Sequence, residues 1–289
     1  MTVALAELAE SEWRDAAARH RERMGRWTAP HRERRRRGEA HPVRDFLFTY
    51  YSHRPAKLEQ WDPGPGVRLL GDASGFLDRP GYRIDGDAVV FDPDRAPDRL
   101  RATAGFLHGL LTATASRAPR LGCFGLHEWA MVYRTDAPRH GSVPLRLGAA
   151  GTDAVVEELD VHCTHYDAFR FFTEAARPHN ALEPTRERQT ELEQPGCLHA
   201  TMDLYKWAYK LAPACPSELV GDCFALAHDV RELDMRASPY DLAAHGYAPV
   251  PIETPAGRAE YVRAQAGFAG RAAPLRARLI DLCELLLRP

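Results

Sequence analysis

Apolar residues along this chain recur mostly at helical spacing. Leu5, Leu8, Trp13, Ala16, Met24 and Trp27 are separated by charges, which predicts an amphipathic helix over residues 3–27 that ends before Pro30. Leu100, Ala104, Leu107 and Leu111 predict a second helix between Asp94 and Ser116, closed by Pro119. A third is bracketed by Pro195-Gly196 and Pro213 and runs from about Cys197 to Leu211. From Ser217 to about Arg236, the stripe Leu219, Cys223, Leu226, Val230, Leu233 alternates steps of four and three, the signature of one buried face, and Pro239 sets its end. Leu275, Leu279, Leu282 and Leu286 predict a last helix after Pro274.

Two stretches break this rhythm. Residues 65–92 are dense in Gly, Pro and Asp turn signals, which suits short strands. Residues 143–167 read as two strands, PLRLG and VVEELDVHCTHYD, around the turn-like GAAGTDA; period two then places Leu159, Val161, Cys163, His165 and Asp167 on one face. The expected fold is mainly α with a small antiparallel β element (α+β), built from 65–92 and 143–167, with the N-terminal helix packed across it. The expected organisation is residues 1–40 as an N-terminal helix with an Arg-rich segment, and 41–289 as the main helical domain.

Composition narrows the classes. A 45% hydrophobic and 27% charged chain of 289 residues can bury a sizeable core and is not a disordered or collagen-like polymer. The first ten residues already carry acids, so no secretory signal is expected, and no apolar stretch has the ~18 residues of a membrane helix. A cytoplasmic protein without a membrane partner is the expectation. Six cysteines without C-x-x-C spacing argue for free thiols. A net charge of −2 leaves nucleic-acid binding only to a local patch. HRERRRRG supplies one, since Arg32, Arg34, Arg35, Arg36 and Arg37 could meet several phosphates if they face outward together; a solvated helix end or a partner contact is the alternative.

Candidate chemistry concentrates in three middle segments. In CLHATMDLYKWAYK, His199 and Asp203 are four residues apart and share a helix face flanked by Lys206 and Lys210. Asp203 suits a general base or a metal ligand, and Tyr205, Trp207 and Tyr209 offer aromatic surface to a planar substrate. In GLHEWAMVYR, His127 and Glu128 lie in an apolar run, so a buried carboxylate there needs a metal, a substrate cation or an arginine such as Arg134 or Arg170. In HCTHYD, His165 and Asp167 complete a set of nitrogen and oxygen donors for iron, zinc or manganese. Neither H-E-x-x-H nor the paired E-x-x-H of di-iron bundles is present. At the end of the predicted 217–236 helix, Asp234, Arg236, Ser238 and Asp241 form a polar cluster that could line a pocket.

Taken together, HPVRDFLFTYYSHRPAKLEQW, CFGLHEWAMVYR, CTHYDAFRFF, QPGCLHATMDLYKWAYK and DVRELDMRASPYDL resemble an actinobacterial family commonly labelled 3-methyladenine DNA glycosylase. The resemblance implies a DNA-repair hydrolase that cleaves the N-glycosidic bond of an alkylated purine and needs no cofactor. Such an enzyme flips the base into an aromatic pocket and uses a carboxylate on the sugar or water. Asp203, Glu128 and Asp167 are candidates for the carboxylate, Tyr50, Tyr51, Trp129, Tyr205 and Trp207 for the pocket, and Arg34, Arg35 and Arg36 for DNA. No helix-hairpin-helix signature of the L-P-G-V-G kind is present. Two other classes stand beside it. One is a metal-dependent enzyme, of the non-heme iron oxygenase type, acting on a small molecule through His127, Glu128, His165, Asp167, His199 and Asp203. The other is a non-catalytic helical interaction protein.

Overall fold

The structure is a computed structural model that describes residues 6–136 and 142–288. The strands are β1 (Ala6–Leu8), β2 (Val67–Leu70), β3 (Tyr82–Asp85) and β4 (Ala88–Phe91). The helices are α1 (Glu10–Arg36), α2 (Phe46–Tyr50), α3 (Pro55–Leu58), α4 (Asp98–Ala115), α5 (Leu126–Ala130), α6 (Gly148–Glu158), α7 (Tyr166–Phe169), α8 (Gln189–Leu192), α9 (Leu198–Lys210), α10 (Ser217–Arg236) and α11 (Pro255–Leu287). With 56% of residues helical and one four-stranded sheet, the mainly α fold with a small β element is as expected. No helix of the described residues is long and apolar enough to cross a membrane.

The chain forms two compact units. One comprises residues up to Leu111, Leu204–Ala225 and Leu275 onward; the other comprises Thr112–Asp203 and Leu226–Pro274. Residue 40, the boundary expected from the sequence, falls inside the first unit.

In the first unit the sheet order is β1-β2-β4-β3. β1 runs parallel to β2, whereas the β2–β4 and β3–β4 pairs are antiparallel, so the sheet is mixed rather than purely antiparallel. Gly86, at φ +64, supplies the left-handed residue that the two-residue β3–β4 turn needs. The α1 helix packs on this sheet: Trp13 Nε1 donates to the Leu70 carbonyl at 3.0 Å, and its ring meets Phe76 edge-on at 5.7 Å.

The N-terminal helix does not stop before Pro30 but continues to Arg36, and Leu8 lies in a strand; Leu5 falls outside the described residues. A proline inside a helix costs about 3 kcal/mol. The turns beyond it are held by Arg32–Glu59 at 2.7 Å, His31–Asp45 at 2.9 Å and Arg34–Asp45 at 2.5 Å, which offset that penalty. The same pairs take Arg32 and Arg34 out of the phosphate-facing patch, and Arg36 and Arg37 pair with Glu33; Arg35 is exposed and pairs with no described residue.

Residues 143–167 are not strands. Thr152, Val155 and Val156 are buried at steps of three and one, a helical face, and Thr152 Oγ1 donates to Gly148 four residues back. Only isolated bridges, Leu145 with Tyr240 and Val161 with Asn180, are recorded there. The last helix begins at Pro255 and runs through Pro274, with Tyr261, Gln265, Ala272, Leu279, Leu282 and Leu286 buried along it.

In the first unit His53 stacks on Tyr209, ring centroids 4.6 Å apart and 13° from parallel. Burial, and next the charge of Lys57, lower its imidazole from the ordinary 6.5 to about 4. Between those values the unfolded chain binds the proton that folded His53 refuses, so stability is full above pH 6.5 and is lost as pH falls towards 4. Urea unfolding of His53→Phe is expected to show less acid destabilisation across this window, by at most about 3 kcal/mol. Identical acid limbs in both proteins would contradict a buried, neutral imidazole.

Candidate metal centre

Five elements of the second unit bring acids and imidazoles into its interior. The chain enters α5 through Phe124 (φ 47) and Gly125 (φ 71), two consecutive left-handed residues. For phenylalanine this backbone is strained, and such strain clusters at working sites. The turn delivers His127 and Glu128 to the core, while Trp129 Nε1 donates to the Ala237 carbonyl at 2.9 Å. The α9 helix presents His199 and Asp203 from one face, as their spacing predicts. Arg231 and Asp234 lie one turn apart near the end of α10, His165 directly precedes α7, and Glu193 directly follows α8. All eight side chains are buried.

His127, His199 and Asp234 form a three-donor set whose ligand atoms all lie within 4.8 Å of one another. His127 Nε2 donates to Asp234 Oδ1 at 2.7 Å, and the rings of His127 and His199 meet edge-on with centroids 4.3 Å apart. Arg231 Nη1 donates to the other oxygen of Asp234 and to Glu128 Oε1, both at 2.6 Å. Burial opposes the charge of Asp234, yet His127 and Arg231 hold its carboxyl below the usual aspartate range. Burial, followed by the charge of His127, pushes His199 well below the ordinary histidine range, so at neutral pH it is an uncharged nitrogen donor. His199 makes no hydrogen bond with any described residue.

His165, Glu193 and Asp203 form a second three-donor set. His165 Nε2 stands 3.3 Å from Glu193 Oε1 and 3.2 Å from Asp203 Oδ2. Metal bonds of about 2.0–2.2 Å place neighbouring ligand atoms about 3.0–3.5 Å apart, and these separations fall in that range. The His165 and His199 rings stack with centroids 5.3 Å apart, and His199 and Asp203 share α9, so the two sets adjoin.

A narrow cleft touches His127 and His199 and leaves about 10 Å³ for the centre of a water-sized sphere, room for one water or a small ion. Exposed His162 is part of its lining, so the cleft reaches the surface. Cys123, Cys163 and Cys197 also line it; burial raises all three thiols, Cys163 to about 12, and keeps them protonated. Neither donor set contains a cysteine; both are built of imidazole and carboxylate.

Of the residues singled out from sequence, His127, His165, His199 and Asp203 converge here. Glu128 lies beside them and pairs with Arg231, rather than with Arg134 or Arg170. Asp167 does not join: α7 starts at Tyr166, which breaks the expected strand alternation, and Asp167 meets Arg170 at 3.1 Å. Asp203 stands beside His165, Glu128 pairs with Arg231 and Asp167 meets Arg170. Trp129 is fully buried in the second unit, while Tyr51, Tyr205 and Trp207 are buried in the first and Tyr50 stacks on Phe46 at 5.0 Å. Asp234, noted from sequence only as part of a polar cluster, is a central donor; Glu193 and Arg231 carried no sequence signal.

Comparison of the chain with family models, curated proteins and solved structures finds no match.

Proposed function

We propose that this protein is a metal-dependent enzyme of the non-heme iron type that acts on a small molecule, with its ion held by His127, His199 and Asp234. The observation that carries the reading is the buried two-histidine, one-carboxylate set, in which His199 has a nitrogen lone pair committed to no described hydrogen bond. That donor set with open positions suits ferrous iron in oxygenases, and its glutamate analogue suits zinc in hydrolases. A bound ion would act as a Lewis acid towards water or dioxygen entering the cleft.

The chain's own residues have defined tasks in this reading. Arg231 fixes the orientation of Asp234 from behind, the outer support that ligating carboxylates require. His127 and Asp234, in contact at 2.7 Å, would hold the ion together with His199. His165, Glu193 and Asp203 supply a second, more acidic donor set beside the first.

Elemental analysis of protein expressed with iron, zinc and manganese supplied tests this. One ion per chain is expected in the His127, His199, Asp234 set, and it is lost on His199→Gln; metal-free protein overturns the reading. Iron favours an oxygenase and zinc a hydrolase. The glycosidic-bond cleavage implied by the family resemblance rests on that resemblance alone, and release of 3-methyladenine from methylated duplex DNA is its direct check.

A further inference from the structure

The first unit carries a separate cavity of about 600 Å³, lined in part by Ser52, His53, Arg99, Thr103, Tyr209 and Lys210. This volume lies within the roughly 300–1,000 Å³ typical of small-ligand sites. No carboxylate is among its lining residues. Arg99 forms no ion pair with any described residue, and Lys210 has only the Trp207 ring, its Nζ 5.4 Å from the centroid. Several other arginines are neutralised: Arg23, Arg32, Arg34, Arg68, Arg79, Arg83, Arg146 and Arg231 all hold carboxylates. Two cations without a carboxylate partner among the described residues thus face one cavity.

The rest of the lining suits the same ligand. Thr103 Oγ1 donates to the Arg99 carbonyl, which leaves its oxygen free to accept, and Ser52 and Tyr209 add hydroxyls. The parallel His53 and Tyr209 rings form a flat wall against which a planar group fits. Asp98, in the same turn as Arg99, is exposed and outside the lining.

We propose that this cavity binds a small phosphorylated molecule of about mononucleotide size, its phosphate seated between Arg99 and Lys210. A guanidinium and an ammonium are complementary seats for such a group, one directional and one a point charge. The inference is independent of the metal reading, and either stands if the other fails.

Calorimetric titration of the full chain with adenosine 5′-monophosphate, inorganic phosphate and adenosine tests it. Adenosine 5′-monophosphate and inorganic phosphate are expected to bind, the former more tightly, and adenosine to bind at least about tenfold more weakly than its monophosphate. Arg99→Gln combined with Lys210→Gln is expected to weaken the monophosphate at least about tenfold. Both side chains are exposed, so the double variant should keep the far-ultraviolet circular dichroism of the parent. Absence of binding by both phosphate probes, equal binding of adenosine and its monophosphate, or undiminished binding in the folded double variant would each overturn the proposal.

Discussion

Replacing Arg231 with methionine is expected to lower folding stability by about 3–5 kcal/mol, measured by urea denaturation. Arg231 is 1% exposed and its Nη1 holds two buried carboxylates at once, Glu128 and Asp234. Methionine fills much of the volume but leaves both acids without that cation, and an uncompensated buried charge is what makes breaking such a network expensive. Adding Glu128→Gln to the variant should recover part of the loss, because one of the stranded charges is removed. The control is Arg271→Ala, which breaks an ion pair with Asp229 whose side chains are about half exposed (53% and 48%) and should change stability by less than about 1 kcal/mol. Equal effects at the two arginines would show that the buried network does not organise the second unit.

The second large effect concerns the ion itself. A ligand that binds only the folded chain stabilises it by mass action, about 4 kcal/mol when its free concentration is a thousandfold above its Kd. Chelation of wild-type protein is therefore expected to lower its thermal midpoint steeply, with recovery on adding the ion back. His199→Gln should abolish this response. Because His199 hydrogen-bonds to no described residue, the variant should match the chelated parent in stability to within about 1 kcal/mol. A variant that still responds to chelator as the parent does would place the ion elsewhere.

Much of this centre was legible from residue spacing, and its gaps have physical causes. His199 and Asp203 share a face because helical period alone dictates it, and their helix is bounded by prolines visible in the sequence. His127 and Glu128 stood out because acids in an apolar run must find partners. Alternation in HCTHYD puts Asp167 on the face of His165, but α7 begins at Tyr166 and its helical turn breaks that pairing. Residues 148–158 are ambiguous for the same reason: a short apolar pair such as Val155-Val156 fits either period, and tertiary packing selects the helix. Glu193 follows a helix of four residues in a polar linker, and nothing local marks it as buried. The Arg231 partnership joins residues 103 positions apart, which no periodicity encodes. The arginine run likewise has the spacing of a phosphate patch, but its partners Asp45 and Glu59, which hold Arg34 and Arg32, lie outside the run.

The most direct measurement is an anomalous difference map from crystals grown with iron or zinc, using data collected on both sides of the metal's absorption edge. A peak about 2.0–2.2 Å from a ring nitrogen of His127, a ring nitrogen of His199 and a carboxylate oxygen of Asp234 is the expected result. No peak there, with His127 still donating directly to Asp234 at 2.7 Å, would mean that the cluster is a closed ion-pair network rather than a metal site.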